Sequence, residues 1–334
     1  MIDYREQPDK AAPFREEYLS GFDKIIAARR IQMQKIRAEK RKDIFLDAEK
    51  HRKDFRNMLG WPLTEYDPSV IPPVVIECLA VKDEVEISRC SFEVLEGLKL
   101  TGLLFKKRDG KKRPMVIVQH GGAGTPELIS RVYGDTYNYN DMLVRVLAYD
   151  VHAFAPQLLL WDSDKFGAPH DRRDIDARLK SVGSSVTAVE VYGIRKILDY
   201  FQSCDYVSKF GMVGLSYGGF YTLFTAAIDT RIRSALSACF FNDRETYAWP
   251  DWVWQDSCGR FLDAEVAALV YPRPLFIEVA QSDPTFVIES AKREYERLKS
   301  LCPADWCPAF HVFEGAHEFN KEDTFLEKAM AALQ

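Results

Sequence analysis

Short apolar runs alternate with amphipathic stretches through the last two thirds of the chain. The runs are rich in Val, Ile, Leu, Phe and Ala and predict buried strands at Met115–Gln119, Ala153–Pro156, Phe210–Gly214, Ile232–Ala238, Leu275–Ala280 and Phe310–Phe313. The stretches between them predict helices near Asp141–Tyr149, Thr187–Gln202, Gly218–Ile228, Phe286–Ser300 and Glu322–Leu333. Buried strands that alternate with helices indicate an α/β protein with a mostly parallel sheet covered on both faces.

A hairpin and a connector precede this pattern. Residues Val85–Val94 and Leu98–Lys107 predict two paired strands around a glycine turn. Residues 61–84 contain four prolines and predict an ordered connector. We therefore divide the chain into a helical and proline-rich part, 1–84, and a sheet domain, 85–334.

A long charged helix is predicted near the N-terminal end. Between Phe14 and Leu59 apolar residues recur at helical spacing, and the Gly-Trp-Pro step at 60–62 ends the helix. The apolar stripe is narrow, so we expect it to dock on the main domain or on a second subunit, which would make a homo-oligomer. The basic run 35–42 could suggest nucleic-acid or membrane contact, but interspersed acids such as Glu39 favour a solvated helix face.

The composition of the 334-residue chain narrows the function classes. Apolar residues make up 47% and the net charge is −5, which excludes a disordered chain and gives no reason to expect a nucleic-acid partner. No stretch approaches the roughly 20 apolar residues of a membrane span. The polar first ten residues carry no secretory signal, which predicts a cytoplasmic protein, although a secreted form with its signal removed would look the same. Seven scattered cysteines without a C-x-x-C pair indicate free thiols and no zinc ribbon.

The sharpest chemical signal is Gly214-Leu215-Ser216-Tyr217-Gly218-Gly219. It follows an apolar strand and precedes an apolar helix, as a nucleophile elbow requires. Such a turn is so tight that flanking side chains would collide, and it presents the serine hydroxyl at a helix N-terminus. We therefore predict that Ser216 is a nucleophile.

A serine hydroxyl needs a general base, and the base needs an orienting acid. His317 follows the last predicted strand in a loop that a glycine starts, whereas His311 falls inside that strand, so we predict His317 as the base. Asp283 follows the preceding strand and is the predicted acid. Glu278, a carboxylate inside that strand, is the alternative acid.

The tetrahedral intermediate of acyl transfer needs donors for its oxyanion. We predict the N–H of Tyr217, the residue after the nucleophile, and N–H groups of the loop that contains Gly121 and Gly122. His120 precedes this loop and lies upstream of Ser216, so we expect it to brace the loop rather than act as a base.

These segments resemble those of an α/β-hydrolase, nearest to the acetyl xylan esterase and dienelactone hydrolase-like branch. Residues 197–219 resemble its helix and elbow, and the segments that end at Asp283 and His317 resemble its acid and histidine segments. The resemblance covers about residues 85–334, and the Gly-Trp-Pro-Leu step after a charged helix is similar to the N-terminal extension of some bacterial members. It implies an eight-stranded sheet whose second strand is antiparallel, a Ser-Asp-His triad and no cofactor.

Aromatic residues cluster where a lid would cover the elbow. Segment 242–260 is a possible lid, and four tryptophans on the predicted rim are candidate substrate contacts, either stacking on sugar rings or packing the lid on the core: Trp161, Trp249, Trp252 and Trp254. A nearby group of aspartates could suggest a metal site, but interleaved basic residues favour a solvated polar loop and no metal: Asp162, Asp164, Asp171, Asp174 and Asp176, with Lys165, Arg172, Arg173 and Arg178.

We therefore expect a serine esterase that forms an acyl-enzyme with a small-molecule or oligosaccharide ester. The resemblance favours a short-acyl or carbohydrate ester such as acetylated xylan. Two alternatives stay open, namely a peptidase or amide hydrolase of the same fold and a non-catalytic binding protein of that fold.

Overall fold

A single mixed β-sheet forms the centre of the protein. The computed structural model describes residues 3–161, 167, 169–247 and 249–334. Within those residues the sheet has nine strands in the order β1-β2-β3-β5-β4-β6-β7-β8-β9. The strands are β1 Val74–Lys82, β2 Val85–Leu95, β3 Leu98–Lys107, β4 Arg113–Gln119, β5 His152–Pro156, β6 Val207–Leu215, β7 Ile232–Ala238, β8 Leu275–Ala280 and β9 Ala309–Phe313. Pairing is antiparallel from β1 to β5 across the sheet and parallel from β5 to β9.

Helices cover both faces of the sheet. In chain order they are α1 Pro8–Arg41, α2 Ala48–Leu59, α3 Pro126–Ile129, α4 Met142–Ala148, α5 Arg172–Ser181, α6 Val186–Gln202, α7 Tyr217–Ile228, α8 Asp263–Ala268, α9 Ile288–Leu301 and α10 Thr324–Ala331. Side chains of β4 alternate between two apolar cores, because Met115 and Ile117 face one while Val116 and Val118 face the other. Helices α2, α6, α7, α8 and α9 close the first core, and α3, α4 and α10 close the second.

The prediction of eight strands is wrong by one, because residues 74–82 form an edge strand. β1 pairs with β2 along its whole length, with Ile76 opposite Cys90. Its side chains are almost all exposed, so backbone hydrogen bonds rather than burial hold it. The prolines before it, Pro72 and Pro73, led us to predict a connector there. Among the other eight strands the second, β3, is antiparallel to its neighbours, as predicted.

The predicted N-terminal helix is two helices. α1 ends at Arg41, and Asp47 begins α2 by accepting a hydrogen bond from the Lys50 N–H at 3.2 Å. α2 then packs on the sheet domain, where Phe55 is fully buried against Phe224 and Phe261, with ring centroids 5.1 and 5.0 Å away. α2 therefore belongs to the core of the sheet domain.

Only the C-terminal end of α1 touches the sheet domain. Its buried residues are Met33, Arg37 and Arg41. Arg37 forms ion pairs with Glu245 at 3.4 Å and Glu265 at 3.2 Å. Within the described residues, no helix is both long enough and apolar enough to cross a membrane.

We predict that Phe55→Ala lowers the free energy of unfolding by about 3–5 kcal/mol, because it leaves a cavity between α2 and α7. Urea denaturation followed by circular dichroism measures the loss. Leu46→Ala is the control, since Leu46 lies in the same N-terminal segment but is 89% exposed, and its effect should stay within about 0.5 kcal/mol. Equal effects of the two variants would contradict the role of α2 in the core.

Candidate active site

Ser216 lies in a sharp turn between β6 and α7. Its backbone has φ 60° and ψ −122°, a conformation that is strained for a residue with a side chain. Two glycines permit the turn, since a Cβ atom on Gly214 would lie 2.2 Å from the Gly218 carbonyl oxygen and one on Gly218 would lie 2.1 Å from the Gln119 carbonyl oxygen. The serine therefore sits at the N-cap of α7, where unpaired N–H groups and the helix dipole favour negative charge.

A histidine and an aspartate meet at the same edge of the sheet. His317 follows β9 and Asp283 follows β8, and His317 Nδ1 lies 2.7 Å from Asp283 Oδ2. The other Asp283 carboxylate oxygen accepts hydrogen bonds from the N–H groups of Thr285 at 2.7 Å and Phe286 at 3.0 Å. The carboxylate is thus fixed by its own loop while it faces the imidazole.

The alternative acid, Glu278, faces a different histidine. Its Oε1 lies 3.1 Å from His311 Nδ1 and accepts a hydrogen bond from Asn320 Nδ2 at 3.0 Å. Burial raises the pKa of Glu278, and these two partners oppose the rise. The structure therefore brings Asp283, and not Glu278, to His317.

The glycine loop after β4 approaches the elbow closely. A Cβ atom on Gly121 would lie 3.2 Å from Ser216 Cβ. The Gly121 N–H donates to the hydroxyl oxygen of Tyr139 at 2.8 Å. In the part of the chain that the structure describes, the N–H groups of Gly122 and Tyr217 donate to no protein acceptor. Of the three predicted oxyanion donors, Gly121 is already in use, and Tyr139 is a contact that the sequence did not reveal.

His120 braces this loop from inside the protein. The Leu158 N–H donates to His120 Nε2 at 3.1 Å, so Nδ1 carries the proton and donates to the Gly121 carbonyl oxygen at 2.7 Å. The ring is a neutral imidazole, and burial lowers its pKa to about 4. His120 therefore lies where the sequence analysis expects it, beneath the loop.

Ser216 and His317 open onto one cavity of about 280 Å³. Its wall includes Gly121 and Gly122 of the glycine loop, Tyr217 of the elbow, and the side chains of Trp161 and Trp249. The Trp161 N–H donates to the Gly122 carbonyl oxygen at 2.8 Å, which ties the loop after β5 to the glycine loop. Both rings are partly buried, so each keeps an accessible part at the cavity.

The structure corrects the prediction for the other two tryptophans. Trp252 and Trp254 are 1% and 4% exposed and belong to the core between α7 and segment 242–260. Trp252 stacks on Trp249 with centroids 4.6 Å apart and on Phe220 at 5.3 Å. Neither ring is among the described residues that line the cavity with Ser216. The alternative that the segment packs on the core is correct for these two residues.

A buried cluster of polar side chains supports the cavity wall. Arg172 is 1% exposed, and it donates from Nε to Asp251 Oδ2 at 2.9 Å and from Nη1 to the Leu159 carbonyl oxygen at 2.6 Å. The Tyr217 hydroxyl donates to the same Asp251 oxygen at 2.8 Å. Glu190 accepts from the Leu159 N–H at 2.6 Å, and its Oε2 lies 3.3 Å from Arg172 Nη2. The cluster joins the elbow, segment 242–260 and the loop that carries Trp161.

The prediction that Arg172 lies in a solvated loop is therefore wrong. Arg172 opens α5, which Asp171 caps by accepting from the Arg173 N–H at 2.8 Å. Burial raises the pKa of Glu190, and the nearby Arg172 charge opposes that rise. No local pattern in the sequence indicates the cluster, because its members come from four distant segments.

The aspartates near α5 that the structure describes each have separate partners. Asp171 caps the helix, and Asp176 pairs with Lys180 at 2.5 Å. The predictions for Asp162 and Asp164 fall outside the described residues. Among the residues that the structure describes, no cluster of three or more His, Cys, Asp or Glu side chains is arranged to hold a metal ion.

Three features define the α/β-hydrolase fold. They are the order of the strands, the strained turn at Ser216, and the placement of Asp283 after β8 and of His317 after β9. Similar solved structures have this fold. A protein from Bacteroides fragilis NCTC 9343 matches with a TM-score of 0.62 and 14% identity over 80% of this chain and 74% of its own. A glucuronoyl esterase from Solibacter usitatus matches with a TM-score of 0.59 and 13% identity over 85% and 92%. Acetyl xylan esterase 1 from Thermoanaerobacterium sp. JW/SL YS485 matches with 0.57 and 14% over 86% and 93%.

Comparison of sequences gives a relative of low identity. The quorum-quenching protein AidA of Acinetobacter baumannii (strain MDR-ZJ06) is 21% identical over 211 residues. The match spans 62% of this chain and 62% of AidA, less than two thirds of that protein's length. No family model matches the sequence.

We predict that His120 contributes a loss of stability as the pH falls from about 6.5 to about 4. In that range the histidine of the unfolded chain takes up a proton that native His120 refuses, so protonation favours the unfolded state by up to about 3 kcal/mol. Urea unfolding at a series of pH values measures the slope.

His120→Asn removes this titration while it keeps one donor and one acceptor. Its stability should fall less steeply over the same pH range. Some pH dependence will remain, because burial also lowers the pKa of His152 to about 4 and raises the pKa of Asp263 to about 7, and these two shifts act in opposite directions. An unchanged slope in the variant would contradict a neutral His120 in the native protein.

Proposed function

We propose that this protein is a carboxylic ester hydrolase with Ser216 as its nucleophile. The observation that carries the proposal is the placement of Ser216. The serine lies at the strained N-cap of α7, and it shares one cavity with His317, whose Nδ1 faces Asp283. This arrangement provides a nucleophile, a base and an orienting acid in the chain order Ser, Asp, His.

The mechanism follows from which nitrogen of the His317 ring is hydrogen-bonded to Asp283. Asp283 holds the Nδ1 side of His317, so Nε2 is the nitrogen that takes the Ser216 proton as the oxygen attacks the ester carbonyl. His317 then gives that proton to the leaving alcohol, and the acyl group stays on Ser216. Water, with His317 again as base, hydrolyses the acyl-enzyme and releases the acid.

We assign the oxyanion donors to the N–H groups of Gly122 and Tyr217. Both lie at the cavity that contains Ser216, and Tyr217 opens α7, so the helix dipole adds to its N–H. The Gly121 N–H is not assigned, because it already donates to Tyr139. The Tyr139 contact instead holds the loop that presents Gly122.

The size and lining of the cavity favour a short acyl group. A volume of about 280 Å³ is at the small end for ligand sites. Trp161 and Trp249 supply aromatic surface at its wall, and such surface suits the apolar face of a sugar ring. Since similar structures include acetyl xylan and glucuronoyl esterases, we propose a short-acyl or carbohydrate ester as the substrate.

We expect the protein to hydrolyse 4-nitrophenyl acetate faster than the octanoate, and a fluorophosphonate to label Ser216. Turnover of the two esters, with and without the fluorophosphonate, measures the preference. Mass spectrometry of the labelled peptide identifies the labelled residue. In Ser216→Ala, kcat should fall by about 10⁴–10⁶ and the label should disappear. Labelling with turnover of matched amides instead would favour an amide hydrolase, and neither labelling nor turnover would favour a binding protein.

We predict that Asp283→Asn and Glu278→Gln separate the two candidate acids. Asp283→Asn should lower kcat by about 10⁴, because the wrong imidazole tautomer then faces Ser216. Glu278→Gln is the matched control, since it is an equally conservative change of a buried carboxylate with its own histidine, and it should keep kcat within about threefold. A larger loss in Glu278→Gln would contradict the assignment of Asp283.

A further inference from the structure

The N-terminal part of α1 exposes a continuous apolar face. Phe14 is 73% exposed, Tyr18 70%, Phe22 48%, Ile25 67% and Ile26 47%. At about 100° per residue these side chains lie within roughly 120° of the helix circumference. Large apolar side chains gathered on one face mark an interaction surface, whereas single exposed ones do not.

This face continues the face by which α1 docks on its own domain. Met33 and Arg37 lie on the same side of the helix and are buried against the segment around Gly259 and Glu245. The docked end fixes the direction of α1, and a helix of 34 residues is about 50 Å long and stiff. The exposed part therefore cannot fold back, and its cover must come from another molecule.

The charges of the exposed part indicate what that molecule is. Residues 1–17 carry five acidic and three basic side chains, a net charge of −2, whereas residues 18–32 carry one acidic and three basic ones, a net charge of +2. Of the first group, residues 8–17 lie in α1 and carry a net charge of −1, so two copies of the helix that run antiparallel bring the negative half of each against the positive half of the other. A parallel pair would instead place like charges side by side.

The area available is of the size that a stable pair needs. An aromatic side chain buries about 150–250 Å², and the three aromatic residues of the face are about half to three quarters exposed. The six rings of a pair then bury on the order of 700 Å². Ile25 and Ile26 of both copies, together with Leu19 at the edge of the face, bring the total toward the roughly 1,000–1,200 Å² of a specific interface.

We propose that the protein forms a two-fold symmetric dimer in which the α1 helices of two copies pack antiparallel through this face. The interface is isologous, so each residue of the face meets the partner's copy of the same face. Arg37 of α1 pairs with Glu245, which belongs to the same segment as Trp249. This ion pair connects the paired helices to the wall of the cavity.

The first test is the mass of the full chain by light scattering at micromolar concentrations. We expect twice the chain mass of 38.4 kDa. Phe22→Ser should weaken the dimer by roughly tenfold or more, since two rings are lost from the centre of the interface. Ile31→Ser is the matched control, because Ile31 is 57% exposed but lies nine residues away, on the opposite side of the helix, and it should leave the dimer intact. A monomeric full chain, or equal effects of the two substitutions, would overturn the proposal.

The second test inverts the charges. Glu16→Lys with Glu17→Lys gives both halves a charge of +2, and Arg29→Glu with Arg30→Glu gives both halves −2, so each double variant alone should be monomeric or weakly dimeric. A mixture of the two should form a heterodimer, and the chain with all four changes should dimerise again. Failure of both rescues would overturn the antiparallel arrangement. Flotation of the full chain with phosphatidylcholine–phosphatidylserine vesicles, if it abolished the dimer, would instead assign the face to a lipid surface.

Discussion

The sharp turn at Ser216 determines how β6, α7 and the cavity lie relative to one another. β6 must pass directly into α7 with Gly218 against the β4 backbone, and this close approach fixes three things together. It aims the serine at the cavity, leaves the Tyr217 N–H without an acceptor among the described residues, and packs the apolar side of α7 on the core. The backbone strain at one residue is tolerated because that packing over-determines it.

The buried cluster around Arg172 connects the segments that surround the cavity. A buried charge costs several kcal/mol unless its hydrogen bonds are complete, and Arg172 reaches two carboxylates, a tyrosine hydroxyl and a backbone carbonyl. Because these partners belong to separate segments, the cluster fixes how the loop with Trp161 and the segment with Trp249 lie relative to the elbow. The shape of the cavity thus rests on polar contacts, whereas the sheet rests on apolar ones.

The two N-terminal helices differ in how much of their surface is buried. α2 buries Phe55 in the main core, and so it is structurally part of the sheet domain. α1 buries three residues at one end and presents the rest to solvent. In the proposed dimer, the contact of Arg37 with Glu245 would hold each α1 helix on segment 242–260, which also contributes Trp249 to the cavity wall.

Local patterns in the sequence predict the fold class, the eight strands from β2 onward, the helices α4, α6, α7, α9 and α10, and the position of the serine turn. These follow from local rules, since burial on two faces imposes apolar runs and a tight turn imposes glycines at 214 and 218. Only the folded chain shows which carboxylate meets His317, that the Gly121 N–H donates to Tyr139, and that Trp252 and Arg172 are buried. Each of these depends on contacts between segments far apart in the chain, which no local pattern encodes.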